Sequence, residues 1–294
     1  IGIDGETIDQ VTLGSKPEIF LREGMLFTTS EKHYKERHIV SEILYISYES
    51  TALGRLVTAR ALSKGKVLLS GPSTTHLLKK WITVLKNDHN ADICIIDGAL
   101  SRLSPASPVI TDSMILSTGA SLSLDIKEIA ARTAFTVELI NLPLTDSKRK
   151  EDLKELDKGI WIIDEFDNLT GEPQGSSFKP ENFILDKQIN FHTIYISGAL
   201  TDRLLNSISN KADLFGVEVI IKDFTKMFAA SKTYKNFLRK GGKLSVLYKS
   251  KLIAITINPL APNGTLLDSG QINHDLKKLI DIPVFDIFKD GYKV

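Results

Sequence analysis

The sequence predicts an α/β protein, a doubly wound, mostly parallel sheet with helices on both faces. Three observations predict it. Apolar runs of strand length recur along the chain, several end in small residues, and a stretch with helical periodicity follows most of these. Continuous apolar runs alternating with helices are the pattern of parallel strands covered on both faces.

The elements follow in order. Lys66–Ser70 (KVLLS) runs into Gly71-Pro72-Ser73-Thr74-Thr75, then an amphipathic stretch from His76 to Lys86. Ala91–Ile96 (ADICII) runs into Asp97-Gly98-Ala99. Asp112–Ser117 (DSMILS) runs into Thr118-Gly119-Ala120-Ser121, with a helix around Leu124–Ala134. Gly159–Asp164 (GIWIID) reads as a buried strand with an acidic end. His192–Ser197 (HTIYIS) runs into Gly198-Ala199-Leu200-Thr201-Asp202 and a helix to about Ser207. Val217–Lys222 (VEVIIK) leads to Asp223 and a helix from Phe224 to about Leu238. Leu244–Tyr248 and Leu252–Pro259 read as a hairpin about the turn Lys249-Ser250-Lys251, with Pro283–Phe288 a later strand. The small residues after the strands fall on the carboxyl edge, where open α/β sheets bind ligands. The expected binding face is therefore Gly71–Thr75, Asp97–Ser101, Thr118–Ser121 and Gly198–Asp202.

A chain of 294 residues has room for two domains of about 150 residues each. The charged stretch Asp146–Lys158 (DSKRKEDLKELDK) is the expected boundary between a first region, 1–145, and a second, 159–294, which forms its own α/β region or continues the first. The stretch itself reads as an exposed helix with Glu/Lys pairs three and four apart. Leu169–Pro180 is a loop by composition. The likeness of IDGALSRL at 96–103 to ISGALTDRLL at 196–205 reads as the shared chemistry of two strand-to-helix turns.

Composition narrows the function. Lys plus Arg number 37 against 36 Asp plus Glu, 42% of residues are hydrophobic and 25% charged. These values argue against disorder and against a basic nucleic-acid surface. Aromatic residues do not interleave with a basic stripe, so stacking on bases has no support either. No apolar run approaches the roughly 18 to 20 residues of a membrane helix. The one cysteine, Cys94, lies within an apolar run and reads as a small core residue; a single cysteine points to a reducing compartment, hence a cytoplasmic protein. The first ten residues, IGIDGETIDQ, are acidic and polar, so a signal peptide is not expected in them. Residue 1 is Ile, which leads us to expect the natural start upstream of it.

Asp97 is the most informative residue. A carboxylate directly after an apolar run, as in ICIIDG, matches the Walker B arrangement, in which the acid holds Mg²⁺ beside a nucleotide phosphate. Gly98 then allows close approach of the backbone. The alternative is that Asp97 only caps its turn. The partner motif, G-x-x-x-x-G-K-[ST], is missing from the sequence. Gly71–Thr75 (GPSTT) opens a helix and offers Gly71, Ser73 and Thr74 to an anion, but it lacks the lysine. Gly119 and Ser121 complete the candidate cofactor contacts. Arg239–Lys243 (RKGGK) follows a helix and reads as its basic C-cap. Asp4 and Glu6, with Asp9, are further candidate oxygen ligands for Mg²⁺; a frayed terminus is the other reading. Lys16, before Pro17, reads as a solvated side chain.

Other chemistries lack their motifs. The six histidines, at 33, 38, 76, 89, 192 and 274, show no clustered ligand spacing, so zinc is not expected. His33 and His38 in EKHYKERH read as a solvated face. Neither G-x-S-x-G nor G-x-G-x-x-G occurs in strand-to-helix context, which removes support for an α/β-hydrolase or a dinucleotide fold.

Several motifs in sequence carry a resemblance. They are DGE at 4–6, GSKP at 14–17, FLREG at 20–24, STALGR at 50–55, SGP at 70–72, IIDGALSRLSPASP at 95–108 and TDSMILSTGAS at 111–121. This series resembles the smaller accessory (reactivase) subunit that accompanies lysine 5,6-aminomutase in lysine-fermenting anaerobes, most strongly from Asp97 to Ser121. Members of that family look like P-loop NTPases related in outline to dethiobiotin-synthetase-like proteins. The resemblance implies that the family's phosphate loop would precede Ile1, that Asp97 matches the Walker B position, and that Asp4 and Glu6 stand near Mg²⁺. It implies ATP and Mg²⁺ as cofactors, and as partners the mutase and a larger ATPase subunit. It further implies a chaperone-like function, in which nucleotide binding switches affinity for an adenosylcobalamin-dependent enzyme so that damaged cofactor is released. Lacking the loop lysine, the chain by itself is expected to bind ATP poorly. Two other classes stay open: an ATP-dependent ligase of the dethiobiotin-synthetase kind, and a non-catalytic binding subunit.

Overall fold

The computed structural model describes residues 19–72, 74–97, 107–164, 168–169, 191–211 and 214–290. The chain divides into two compact units, residues 1–106 and 107–294.

In the first unit, β1 (Ile19–Leu21) pairs antiparallel with β5 (Gly65–Val67). A second antiparallel sheet has the order β2-β4-β3, built from β2 (Leu26–Ser30), β3 (Ser41–Thr51) and β4 (Gly54–Ala61). Between β2 and β3 the short helix α1 (Glu31–Lys35) starts at Ser30, whose side chain accepts the His33 N–H. Leu21, Phe27, Tyr34, Ile39, Val57, Ala59, Ala61 and Val67 close into one apolar core. Helix α2 (Thr75–His89) buries Leu78, Trp81 and Leu85 and ends at Asn90 in the left-handed conformation. Trp81 and Leu85 pack on Leu56, and the Trp81 ring lies 5.2 Å from that of Tyr45.

This unit also buries hydroxyls. Thr28, Thr29, Ser30, Thr58 and Ser70 are all at most 1% exposed. Each has a partner, as burial without one is costly: Thr28 Oγ1 meets Thr58 Oγ1 at 3.0 Å, and Thr29 Oγ1 donates to the Leu68 carbonyl at 2.6 Å.

In the second unit, β6 (Met114–Gly119), β11 (Leu252–Asn258) and β12 (Val284–Asp286) form a purely parallel sheet in the order β12-β11-β6. Helix α3 (Ile126–Ile140) contacts β6, and α7 (Ser269–Lys277) contacts β11, β12 and α3. Ile129, Ile255, Ile257, Ile272 and Leu276 are fully buried there. On the opposite pleat Ile115 and Phe285 stay exposed, at 56% and 47%, so that face is not covered as a doubly wound sheet requires.

The other sheet of this unit has the order β10-β9-β8-β7. Its strands are β7 (Ile160–Asp164), β8 (Phe191–Ile196), β9 (Glu218–Ile221) and β10 (Lys243–Val246). β8, β9 and β10 are parallel, whereas β7 runs antiparallel to β8. Helix α4 (Ser147–Leu153) occupies part of the charged stretch, and its Leu153 is fully buried against Ile163, Tyr195, Ile220 and Leu247. Helices α5 (Asp202–Lys211) and α6 (Ser231–Arg239) pack on each other.

The structure corrects the expected doubly wound sheet. The described residues form four small sheets, two antiparallel, one mixed and one parallel. Ala91–Ile96 belongs to no strand; Ala91 and Cys94 rest on the Trp81 cluster while Ile93 and Ile95 face outward, at 83% and 78% exposed. The expected hairpin over 244–259 is absent, since β10 pairs with β9 whereas β11 pairs with β6 and β12. The expected helix from Phe224 is a single 3₁₀ turn, Phe224–Lys226, separated from α6 by an extended break at Met227–Ala230.

Candidate functional site

Asp97, the expected metal-binding carboxylate, is exposed in the irregular segment after α2. That segment is anchored through Cys94, whose partial burial on Trp81 and Leu85 pushes its thiol pKa up. Gly71 is buried just ahead of α2. Thr74 is the N-cap of α2: its hydroxyl accepts the Leu77 N–H at 3.3 Å. Capping of this kind satisfies one of the four free amides of the first turn. Ser73, Gly98, Asp4 and Glu6 lie outside the described residues, as do Asp9 and Lys16.

Gly119 and Ser121 belong to the second unit, at the carboxyl end of β6. Gly119 has φ +146, and a Cβ there would sit 1.9 Å from the Asn258 carbonyl oxygen. Close packing of β6 against β11 thus demands glycine here. Ser121 is exposed in the following turn. At the end of β8, Thr201 Oγ1 accepts the Leu204 N–H at 3.3 Å and Asp202 accepts the Ala230 N–H at 2.9 Å. These two side chains shape the start of α5 and the break before α6.

The sequence reading missed a polar cluster in the first unit. Ser70 Oγ accepts the Ser30 N–H at 2.8 Å and lies 3.1 Å from both Thr29 Oγ1 and His33 Nδ1. His33 is 2% exposed, which overturns its assignment to a solvated face. His33 and its neighbour Tyr34 are both buried in α1, a five-residue helix too short to show a 3.6-residue apolar pattern in the sequence. The cluster ties β2 and α1 to the residue before Gly71.

In the second unit an open groove of about 350 Å³ is lined by Leu142, Leu144, Tyr234, Leu238, Lys243 and Leu244. Glu218 at its edge is held by Arg149 at 2.8 Å and by the Ser245 hydroxyl. None of the sequence-predicted site residues lines it.

The described residues do not fit a magnesium-nucleotide group on their own. Among them no three His, Cys, Asp or Glu side chains converge as a metal site. Thr74 spends its hydroxyl on the helix cap, and the loop before α2 has no lysine to neutralise a phosphate. Among the described residues, no helix is long and apolar enough to cross a membrane. Comparison with family models, with curated proteins and with solved structures finds no match to this chain.

Proposed function

We propose that this chain is the chaperone-like accessory subunit of a reactivating system for an adenosylcobalamin-dependent lysine aminomutase, acting in the cytoplasm. The observation that carries the reading is the motif series culminating at residues 95–121, IIDGALSRLSPASP and TDSMILSTGAS. The exposure of Asp97 is compatible with a carboxylate that meets a ligand or partner. The proposal assigns ATP and Mg²⁺ to the assembly with the larger ATPase partner, because the described residues do not fit a magnesium-nucleotide group on their own. Nucleotide state then changes affinity for the mutase, as any ligand with unequal affinity for two states does.

The test is recovery of an inactivated mutase by this chain plus the larger partner, with and without MgATP, for the wild type and Asp97→Asn. The expected result is MgATP-dependent recovery that Asp97→Asn lowers while the variant stays folded. Recovery independent of MgATP and indifferent to Asp97→Asn would favour the non-catalytic binding subunit. No effect of the chain on the mutase would overturn the proposal, and turnover of a small carboxylic acid by the chain alone would replace it with the ligase reading.

A further inference from the structure

The loop leaving β11 contains Asn263-Gly264, the one Asn-Gly pair in the sequence. Ala261-Pro262-Asn263-Gly264 forms a β-turn closed by the Gly264 N–H donating to the Ala261 carbonyl at 2.9 Å. Proline at the second position and glycine at the fourth suit such a turn. Gly264 takes φ +85 with nothing within 4 Å of where a Cβ would stand, and residues 262–266 are exposed. The Thr265 N–H donates to Asn263 Oδ1 at 3.1 Å, which fixes the amide over its own backbone and withdraws electrons from Cγ.

We infer that Asn263 is a site of spontaneous covalent modification, converted to aspartate and isoaspartate through a succinimide. The Gly264 backbone nitrogen, after hydroxide takes its proton, forms a bond to Asn263 Cγ; the Cγ–Nδ2 bond breaks and the amide nitrogen leaves as ammonia with a proton from water. Water then opens the ring at either carbonyl. No oxidant or reductant is needed. A side chain on the following residue would obstruct this ring closure, and Gly264 has none. The open surroundings admit water and base. Opening the turn costs one exposed hydrogen bond, the Gly264 N–H to Ala261, which is a small barrier.

Neighbouring asparagines are poorer sites for stated reasons. Asn258 precedes Pro259, which has no N–H to react. Asn206 and Asn236 lie in α5 and α6, where the backbone is held by helical hydrogen bonds. Modification puts a negative charge on the loop. The isoaspartate form also inserts a methylene into the backbone, so that the Ala261 N–H to Thr265 carbonyl bond, 2.8 Å in the native loop, loses its register.

The test is incubation of the wild-type chain at neutral and mildly alkaline pH, followed by peptide mapping that separates aspartate from isoaspartate. Conversion is expected at Asn263 ahead of the other asparagines of the described residues, faster at the higher pH, and lost in Asn263→Gln. Gly264→Ala should slow it without relocating it. Conversion led by another of those asparagines, or a rate at Asn263 unmoved by Gly264→Ala and by pH, overturns the inference.

Discussion

The indole N–H of Trp81 donates to Thr28 Oγ1 at 3.0 Å, fastening α2 to β2 across 53 positions of the chain. The same oxygen meets Thr58 Oγ1, so three elements share one buried hydroxyl. Trp81→Phe keeps most of the apolar ring and removes the donor. Loss of that hydrogen bond is expected to cost about 1–2 kcal/mol, read as a lower urea midpoint with unchanged slope. An unchanged midpoint would show that the bond contributes nothing net.

Gly119→Ala tests the packing of β6 on β11. The left-handed-side φ and the 1.9 Å approach to the Asn258 carbonyl leave no room for a methyl group. A destabilisation of about 3 kcal/mol is expected. The equivalent change at Gly264, which has φ +85 but is unobstructed, should cost about 1 kcal/mol. Equal losses at the two positions would show that the Asn258 carbonyl is no obstacle.

Asp223 is 2% exposed and accepts from the Ser107 hydroxyl at 2.6 Å and from the Thr225 N–H at 2.9 Å. Ser107→Ala removes one donor from a buried carboxylate and is expected to cost about 2 kcal/mol. Asp223→Ala also uncaps the 3₁₀ turn and should cost more. Thermal melts of both variants check the order; Ser107→Ala equal to wild type would refute it.

The Asp286 carboxyl gives a pH dependence. Burial by itself would raise its pKa, but the Ser269 hydrogen bond, the Phe288 and Lys289 backbone N–H groups and the Lys289 charge outweigh it and hold the pKa below the usual carboxylate range. A depressed folded-state pKa contributes stability that is present above the unfolded pKa and lost as pH falls through the folded one. The loss therefore belongs below about pH 4. Asp286→Asn should flatten the acid limb of stability against pH and leave its neutral shape alone. An acid limb as steep as the wild type's would sink this assignment.

Much of the second unit was legible in the sequence. Met114–Gly119, Ile160–Asp164, Phe191–Ile196 and Glu218–Ile221 are strands where apolar runs predicted them; burial on both faces leaves such a run in the last three, whereas β6 carries one with Ile115 exposed. Direction was not legible. β7 carries the same kind of run as β8, yet it is antiparallel, because an apolar run records burial and not polarity. ADICII has the run without a strand: a run says nothing about whether a ladder partner stands beside it. In the first unit β5 overlaps the predicted run Lys66–Ser70, whereas β2 and β4 escaped notice because they bury Thr28, Thr29, Ser30 and Thr58, residues that hydropathy counts as polar. Of the candidate site, Thr74 and Gly119 are explained by local backbone needs, a helix cap and a close approach.

Those hydroxyls also set how the first unit's strands align. Thr28 stands opposite Thr58, and Thr29 opposite Val57, in the β2–β4 ladder. Sliding β2 by one residue so that Phe27 stands opposite Thr58 would turn Thr28 to the other face and take the hydroxyl partner from both threonines. Each orphaned hydroxyl costs about 1–3 kcal/mol, on top of the reversal of every side chain across the sheet. Misaligned pairings are thus penalised by chemistry as well as by shape. The polar atoms in this interior act as an error check on assembly, rejecting a slipped sheet that a purely greasy core would tolerate.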